Sequence, residues 1–156
     1  MRLILVALLL MGPLAAEAQE VRRPYRIGVL NEAFAATHPT VEGLKAGLRE
    51  AGLAEGRDVS FDIRFTEGDA QATRTAAAAL VKAGVDLIVT SQEGPTQAVM
   101  DATQTVPIVF TLVGDPIASG LVKNLAEPER NVTGVSSLQT ELAAKRLEIL
   151  KTLVPT

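Results

Sequence analysis

Residues 86–116 read DLIVTSQEGPTQAVMDATQTVPIVFTLVGDP. Two runs in it, Asp86–Thr90 and Ile108–Val113, are apolar at nearly every position. That pattern belongs to strands covered on both faces rather than to strands with one wet face. Between them, from about Pro95 to Thr103, the spacing predicts a helix, with proline in its first turn where a missing N–H costs nothing. The second run halts at Gly114-Asp115-Pro116. Two buried strands joined by a helix make a parallel pair with a right-handed crossover.

The same alternation extends in both directions. Upstream, Tyr25–Leu30 reads as a first strand and Val59–Phe65 as a second. In the second, Phe61, Ile63 and Phe65 alternate with Ser60, Asp62 and Arg64, which suits a sheet edge. Downstream, Val132–Ser136 reads as a fifth strand. A helix over Thr40–Ala51 sets Val41, Leu44, Leu48 and Ala51 on one stripe and stops at Gly52. Asp69 caps another, which runs along an alanine-rich face to Ala83 and stops at Gly84. A short helix is expected over Ala118–Leu125, then an irregular surface loop over Ala126–Arg130 containing Pro128. A last helix, Thr140–Leu153, places Leu142, Ile149, Leu150 and Leu153 on one side and closes at Pro155. The expected fold class is α/β: a three-layer, Rossmann-like parallel sheet of five strands in the order 2-1-3-4-5.

The N-terminus, MRLILVALLLMGPLAAEAQE, has a positive start at Arg2, an apolar core over Leu3–Met11 and a small-x-small site at Ala16-Glu17-Ala18. This is the layout of a cleaved secretory leader over 1–18, with a core too short to span a bilayer. Residues 19–156 are then one domain. Export leads to an oxidising compartment, yet the chain has no cysteine, so neither a disulfide nor a lipid-modified cysteine is available. A soluble periplasmic protein is the expectation. The formal charge of −3 gives no basic patch of the kind nucleic-acid binding requires.

In an open parallel sheet, ligands bind beyond the carboxyl ends of the strands, where connections diverge to opposite faces. In this strand order that point lies between the first and third strands. The loops to inspect are Asn31–Thr40 and Ser91–Thr96, with Gly114–Ser119 and Ser136–Gln139 beside them. All four are rich in small, hydroxyl and amide residues. Amides at a helix start attract an anion such as an amino-acid carboxylate, and Gly94 permits close approach. Asp115 offers a carboxylate to an ammonium or hydroxyl group. The competing reading is that Ser, Asp and Asn here only cap helices and turns.

Other chemistries find less support. No GxGxxG follows the first strand and no GxxxxGK[ST] occurs, so nucleotide cofactors lack their cradle. Ser91 lacks the flanking glycines of a nucleophile elbow. His38, the one histidine, reads as a solvated loop residue, and with no cysteine a zinc site is not expected. Asp58 with Asp62, and Glu67 with Asp69, read as a wet strand face and a helix start. A phosphoreceiver shares the strand order but would need acidic residues after the first strand, an Asp ending the third and a Lys ending the fifth. The chain has Asn31-Glu32, Thr90-Ser91 and Ser136-Ser137 there.

Five stretches in order carry a family likeness: RIGVLN, GLREAGLAEGRDVSFDIRFTEGD, LVKAGVDLIVT, PIVFTLVGDPIASGLVKNLAEPERNVTGVSS and ELAAKRLEILKTLVP. Through them the chain resembles the N-terminal half of the periplasmic solute-binding proteins of ABC import systems, in the branch with tryptophan- and tyrosine-binding members. The resemblance implies one lobe of a type I periplasmic binding protein, a receptor without catalytic residues or cofactor. It implies a small-molecule solute, an inner-membrane ABC permease as partner, and a second lobe absent from this sequence. It also implies ligand-facing residues Asn31, Glu32, Ser91, Gln92, Gly94, Thr96, Asp115, Ser136 and Ser137. Two local departures stand out: Glu129-Arg130 where the family carries glycines, and Ser91-Gln-Glu-Gly-Pro-Thr96 where a Gly-Thr-Pro is usual. The competing readings are an exported hydrolase or isomerase that uses Ser91 with Asp115 or Glu93, and a small interaction module.

Overall fold

The computed structural model describes residues 23–34, 38–126, 131–137 and 139–154. The leader over 1–18, the Glu129-Arg130 turn and the stop at Pro155 lie outside these residues. The elements in chain order are β1 (Tyr25–Asn31), α1 (Pro39–Glu50), β2 (Val59–Phe65), α2 (Ala70–Lys82), β3 (Leu87–Ser91), α3 (Glu93–Ala102), β4 (Ile108–Val113), β5 (Val132–Ser136) and α4 (Gln139–Leu153). All five strands pair in parallel in the order β2-β1-β3-β4-β5, as the alternation predicts.

Helices cover the sheet unevenly. On one face α2 and α3 pack together over a core in which Leu30, Leu80, Ile88, Val99 and Ile108 are fully or almost fully buried. Each such side chain contributes about 1.5–3 kcal/mol of apolar burial. On the other face α1 lays Val41, Leu44 and Leu48 over Ile27, Val29, Val59 and Val89. Gly28 explains how α2 comes so close to β1: a Cβ there would meet the Leu80 methyls at 3.1 and 3.3 Å.

Local signals account for most of the boundaries. Asp69 caps α2 by accepting from Gln71 N at 2.7 Å and Ala72 N at 2.9 Å. Gly52 and Gly84, which follow the ends of α1 and α2, take the left-handed conformation that favours glycine. Asp86 joins the start of β1 to that of β3. It accepts both arms of the Arg23 guanidinium at 2.7 and 2.9 Å and the Arg26 backbone N–H at 2.8 Å. The Arg23 bond, and after it the Arg26 amide, hold its carboxyl below the usual range.

Several expectations need correction. The predicted helix over Ala118–Leu125 is absent. In its place Asp115 caps a single turn, which ends at Gly120 with φ 73°. β3 begins at Leu87 and runs to Ser91, one residue later than predicted, while α3 starts at Glu93, ahead of Pro95. His38 is half-buried rather than a solvated loop residue: it is the N-cap of α1, with Nδ1 accepting from Thr40 N at 3.3 Å. β4 is covered fully on one side only: Val109 is half-buried, and Thr133 and Val135 beside it on β5 are exposed. The reason is α4. Its apolar stripe forms, but every described side chain on the helix is exposed, Leu142, Ile149, Leu150 and Leu153 included, and none packs into the sheet's core.

Candidate functional site

β1 sends its chain into α1 on one face, while β3 sends its chain into α3 on the other. At the carboxyl ends of these strands and of β4 lies an open groove of about 550 Å³. Glu32 follows β1 into it, and Gln92, Glu93 and Gly94 form its β3–α3 corner. Leu112 and Gly114 come from the end of β4, Ser137 and Gln139 from the stretch after β5. Two of these side chains are carboxylates and none is a lysine or arginine, so the groove has a negative field. A second cavity, about 410 Å³, lies between α1 and β2 beyond the sheet's edge. Its Lys45 pairs with Glu55 at 3.2 Å and sits over the Phe61 ring.

The floor beneath the groove is a layer of buried hydroxyls and amides. Asn31, Thr90, Ser91 and Thr96 are each 2% exposed or less. Asn31 Nδ2 is 3.4 Å from Ser91 Oγ, and Asn31 Oδ1 accepts from Ala33 N at 2.8 Å. Thr90 and Thr96 share a hydroxyl–hydroxyl bond of 2.8 Å, and Thr96 also donates to the Gln92 carbonyl at 2.6 Å. Every buried side-chain nitrogen and oxygen among the described residues has a partner. A satisfied polar layer of this kind fixes strand ends in register.

Of the nine residues singled out from the sequence, Glu32, Gln92, Gly94 and Ser137 line the groove. Asn31, Ser91 and Thr96 support it from below and are closed to solvent. Asp115 Oδ1 accepts from Ile117 N and Ala118 N at 3.1 and 2.9 Å, so it shapes the turn after β4. Ser136 Oγ donates to the carbonyl of Val113 at 3.1 Å, which ties β5 to β4. A Cβ on Gly94 would meet only the Glu32 carboxylate, the movable end of a flexible side chain, so Gly94 sets where Glu32 lies in the groove and a larger residue there would displace it.

Sequence reasoning missed Leu112. Phe110 pairs with Gly134 and Val113 with Ser136, so two β4 residues oppose one on β5. This bulge puts Leu112 at φ 57° and leaves it half exposed in the groove. Gln92, the N-cap of α3, has φ 75° and ψ 173°, a region otherwise almost confined to glycine. Its N–H donates to the Thr111 carbonyl at 2.9 Å, so the two strained residues belong to one hydrogen-bonded corner. Each costs on the order of 1–3 kcal/mol, which the surrounding sheet must offset.

The Ser91 hydroxyl has Asn31 and Thr111 as partners, the latter at 3.3 Å, and neither is a general base. Asp115 is engaged in its own turn. The nucleophile–base contact that serine chemistry requires is not made by these residues. Among the described residues, no group of three or more His, Cys, Asp or Glu is arranged to hold a metal ion, and no helix is long and apolar enough to cross a membrane.

Comparison with known proteins agrees with this architecture. Residues 33–156 match the family described as ABC transporter substrate binding protein. The tyrosine-binding protein of Clostridioides difficile strain R20291 is 34% identical over 122 residues, which are 76% of this chain and 35% of that protein. Among solved structures, an ABC domain from Streptococcus pneumonia in complex with L-Trp shares 35% identity at a TM-score of 0.66, covering 73% of this chain and 39% of that one. A conserved domain protein from Vibrio cholerae shares 30% identity at a TM-score of 0.74, covering 86% and 45%. The chain thus spans less than half the length of each of these relatives. It belongs to the ABC transporter substrate-binding protein family.

Proposed function

We propose that this chain is the first lobe of a periplasmic receptor that captures an amino-acid-like solute and delivers it to an inner-membrane ABC permease. The observation that carries the reading is the groove where β1 and β3 part, with the α3 start at its corner and two carboxylates on its wall. The free amides of a helix N-terminus favour a carboxylate, and Glu32 and Glu93 favour an ammonium, so a zwitterion is accommodated. The related proteins that bind tyrosine and L-Trp support the same solute class. In this reading the leader directs export, and a second lobe in the full-length protein closes over the groove. The exposed helix α4 then belongs to the side of that second lobe.

Titration calorimetry of the full-length protein against a panel of amino acids tests the proposal. One-to-one binding of at least one zwitterion is expected, with the solute recovered unchanged. Chemical conversion of a bound solute, or no heat from any amino acid, would refute it.

A further inference from the structure

β2 closes one side of the sheet, and the outer edge of this strand is open. Tyr25 N donates to the Asp58 carbonyl and Thr66 N to the Asn31 carbonyl, so even-numbered residues here turn their backbone groups toward β1. The odd-numbered residues of β2, by alternation, turn theirs outward. Val59 is satisfied locally: its N–H donates to the Ala54 carbonyl at 3.3 Å and its carbonyl accepts from Gly56 N at 2.8 Å. The outward groups of Phe61, Ile63 and Phe65 have no such partner among the described residues. Proteins commonly blunt an open edge with a proline, a lysine or a bulge. β2 reads VSFDIRF and keeps register with β1 at every position, so it has none of the three. At the opposite edge β5 is shorter and meets β4 across a bulge.

The strand is also its own complement. A second copy, turned antiparallel about Ile63, sets Phe61 opposite Phe65, Ile63 opposite Ile63 and Asp62 opposite Arg64. Centring on Asp62 or on Arg64 instead would set like charges opposite each other, which is unfavourable. In the favoured register the outward N–H and C=O groups of Phe61, Ile63 and Phe65 fall into the hydrogen-bonded pairs. Asp62 and Arg64 then fall into the closer, non-hydrogen-bonded pairs. Within one chain these two side chains already bond each other, through two contacts of 3.0 Å, on the face away from α1. A groove of about 610 Å³ between Arg64 and Ala72, Thr75 and Ala76 of α2 leaves room beside them. On the α1 face Phe61, Ile63 and Phe65 are only half-buried, so pairing them covers apolar surface that one chain leaves exposed. We propose that β2 is a docking edge for a second copy of this chain, which joins two five-stranded sheets through an antiparallel seam. The contact is narrow, so the dimer is weak, with a Kd on the order of 10–100 μM. β2 does not line the groove at the strand ends, and the inference is independent of what that groove binds.

Sedimentation velocity on the full-length protein, from about 5 to 500 μM, tests the seam by charge exchange. The unmodified protein is expected to shift from monomer to dimer across that range. Asp62→Arg places an arginine opposite Arg64 of the second copy, and Arg64→Asp places an aspartate opposite its Asp62. Each variant alone should therefore dimerise at least about tenfold more weakly. An equimolar mixture of the two variants restores opposite charges at every crossing and should recover the dimer. Hydrogen exchange on the unmodified protein gives a check that needs no substitution. At the high concentration the amides of Phe61, Ile63 and Phe65 should exchange several-fold more slowly than at the low one. A protein that stays monomeric to about 500 μM would overturn the proposal. So would a dimer whose three amides gain no protection, or one that folded variants neither weaken alone nor recover when mixed.

Discussion

Gly134 shows how much one missing side chain can decide. A Cβ on it would strike the Phe110 carbonyl oxygen and come within 2.5 Å of the Phe110 ring, both part of the buried face of β4. The residue is not in a left-handed conformation, so its role is space. Gly134→Ala should therefore destabilise the protein by about 1–3 kcal/mol, the range for overpacking a filled site. Urea unfolding would measure it, and an unchanged midpoint would mean that β5 swings freely away from β4. Asn131, three residues earlier, works in the opposite way. Its side chain reaches back to the Val106 carbonyl at 2.6 Å, and its own carbonyl accepts from Ile108 N at 2.7 Å. Of these two neighbours in the NVTG motif, one contributes a hydrogen bond and the other an absence.

Between elements, the bracket at Asp86 makes a pH-dependent contribution. Its carboxyl is held below the usual range first by Arg23 and then by the Arg26 amide. A depressed folded-state pKa contributes stability above the unfolded value of about 3.9, and that stability is lost as pH falls through the lower folded value. Asp86→Asn should lower the melting temperature by a few degrees at pH 7, the scale of an exposed ion pair. The difference should close as the pH approaches 2. A gap that persists there would assign the effect to shape rather than charge. The strands and the four longer helices were legible because their signals are local, whereas the helix expected over Ala118–Leu125 is a single capped turn. Asp69 and Gly84 bound α2, and the alternation of Phe61, Ile63 and Phe65 marks β2 as an edge. The bulge was not legible. IVFTLV looks the same with or without a register slip, because the slip is set by the pairing with β5. The capping by His38 was hidden for a related reason, since it depends on the extended backbone that His38 itself adopts ahead of α1. The site's location followed from strand order, but which of its hydroxyls face solvent depends on side-chain packing: Ser91 is buried and Ser137 lines the groove.

At the scale of the whole molecule, α4 is the element that does not fit. Its stripe was readable from spacing, but its packing partner was not, and the sheet leaves that stripe uncovered. Removing residues 139–156 should leave the five-stranded unit intact, with circular dichroism per residue and melting temperature changed little. The intact 156-residue chain should self-associate at lower concentration than the shortened one, because contiguous exposed apolar surface promotes association. Sedimentation velocity on the two would decide, and a collapse of the shortened chain would show that α4 stabilises the sheet after all. The strand order carries one more consequence. β1 sits between β2 and β3, and the bracket from Arg23 to Asp86 spans 63 positions. During synthesis, then, the first strand has only the edge strand for company until Ser91 has left the ribosome. A nascent chain of this design stays loose for more than half its length, and closing such distant pairings slows its later condensation.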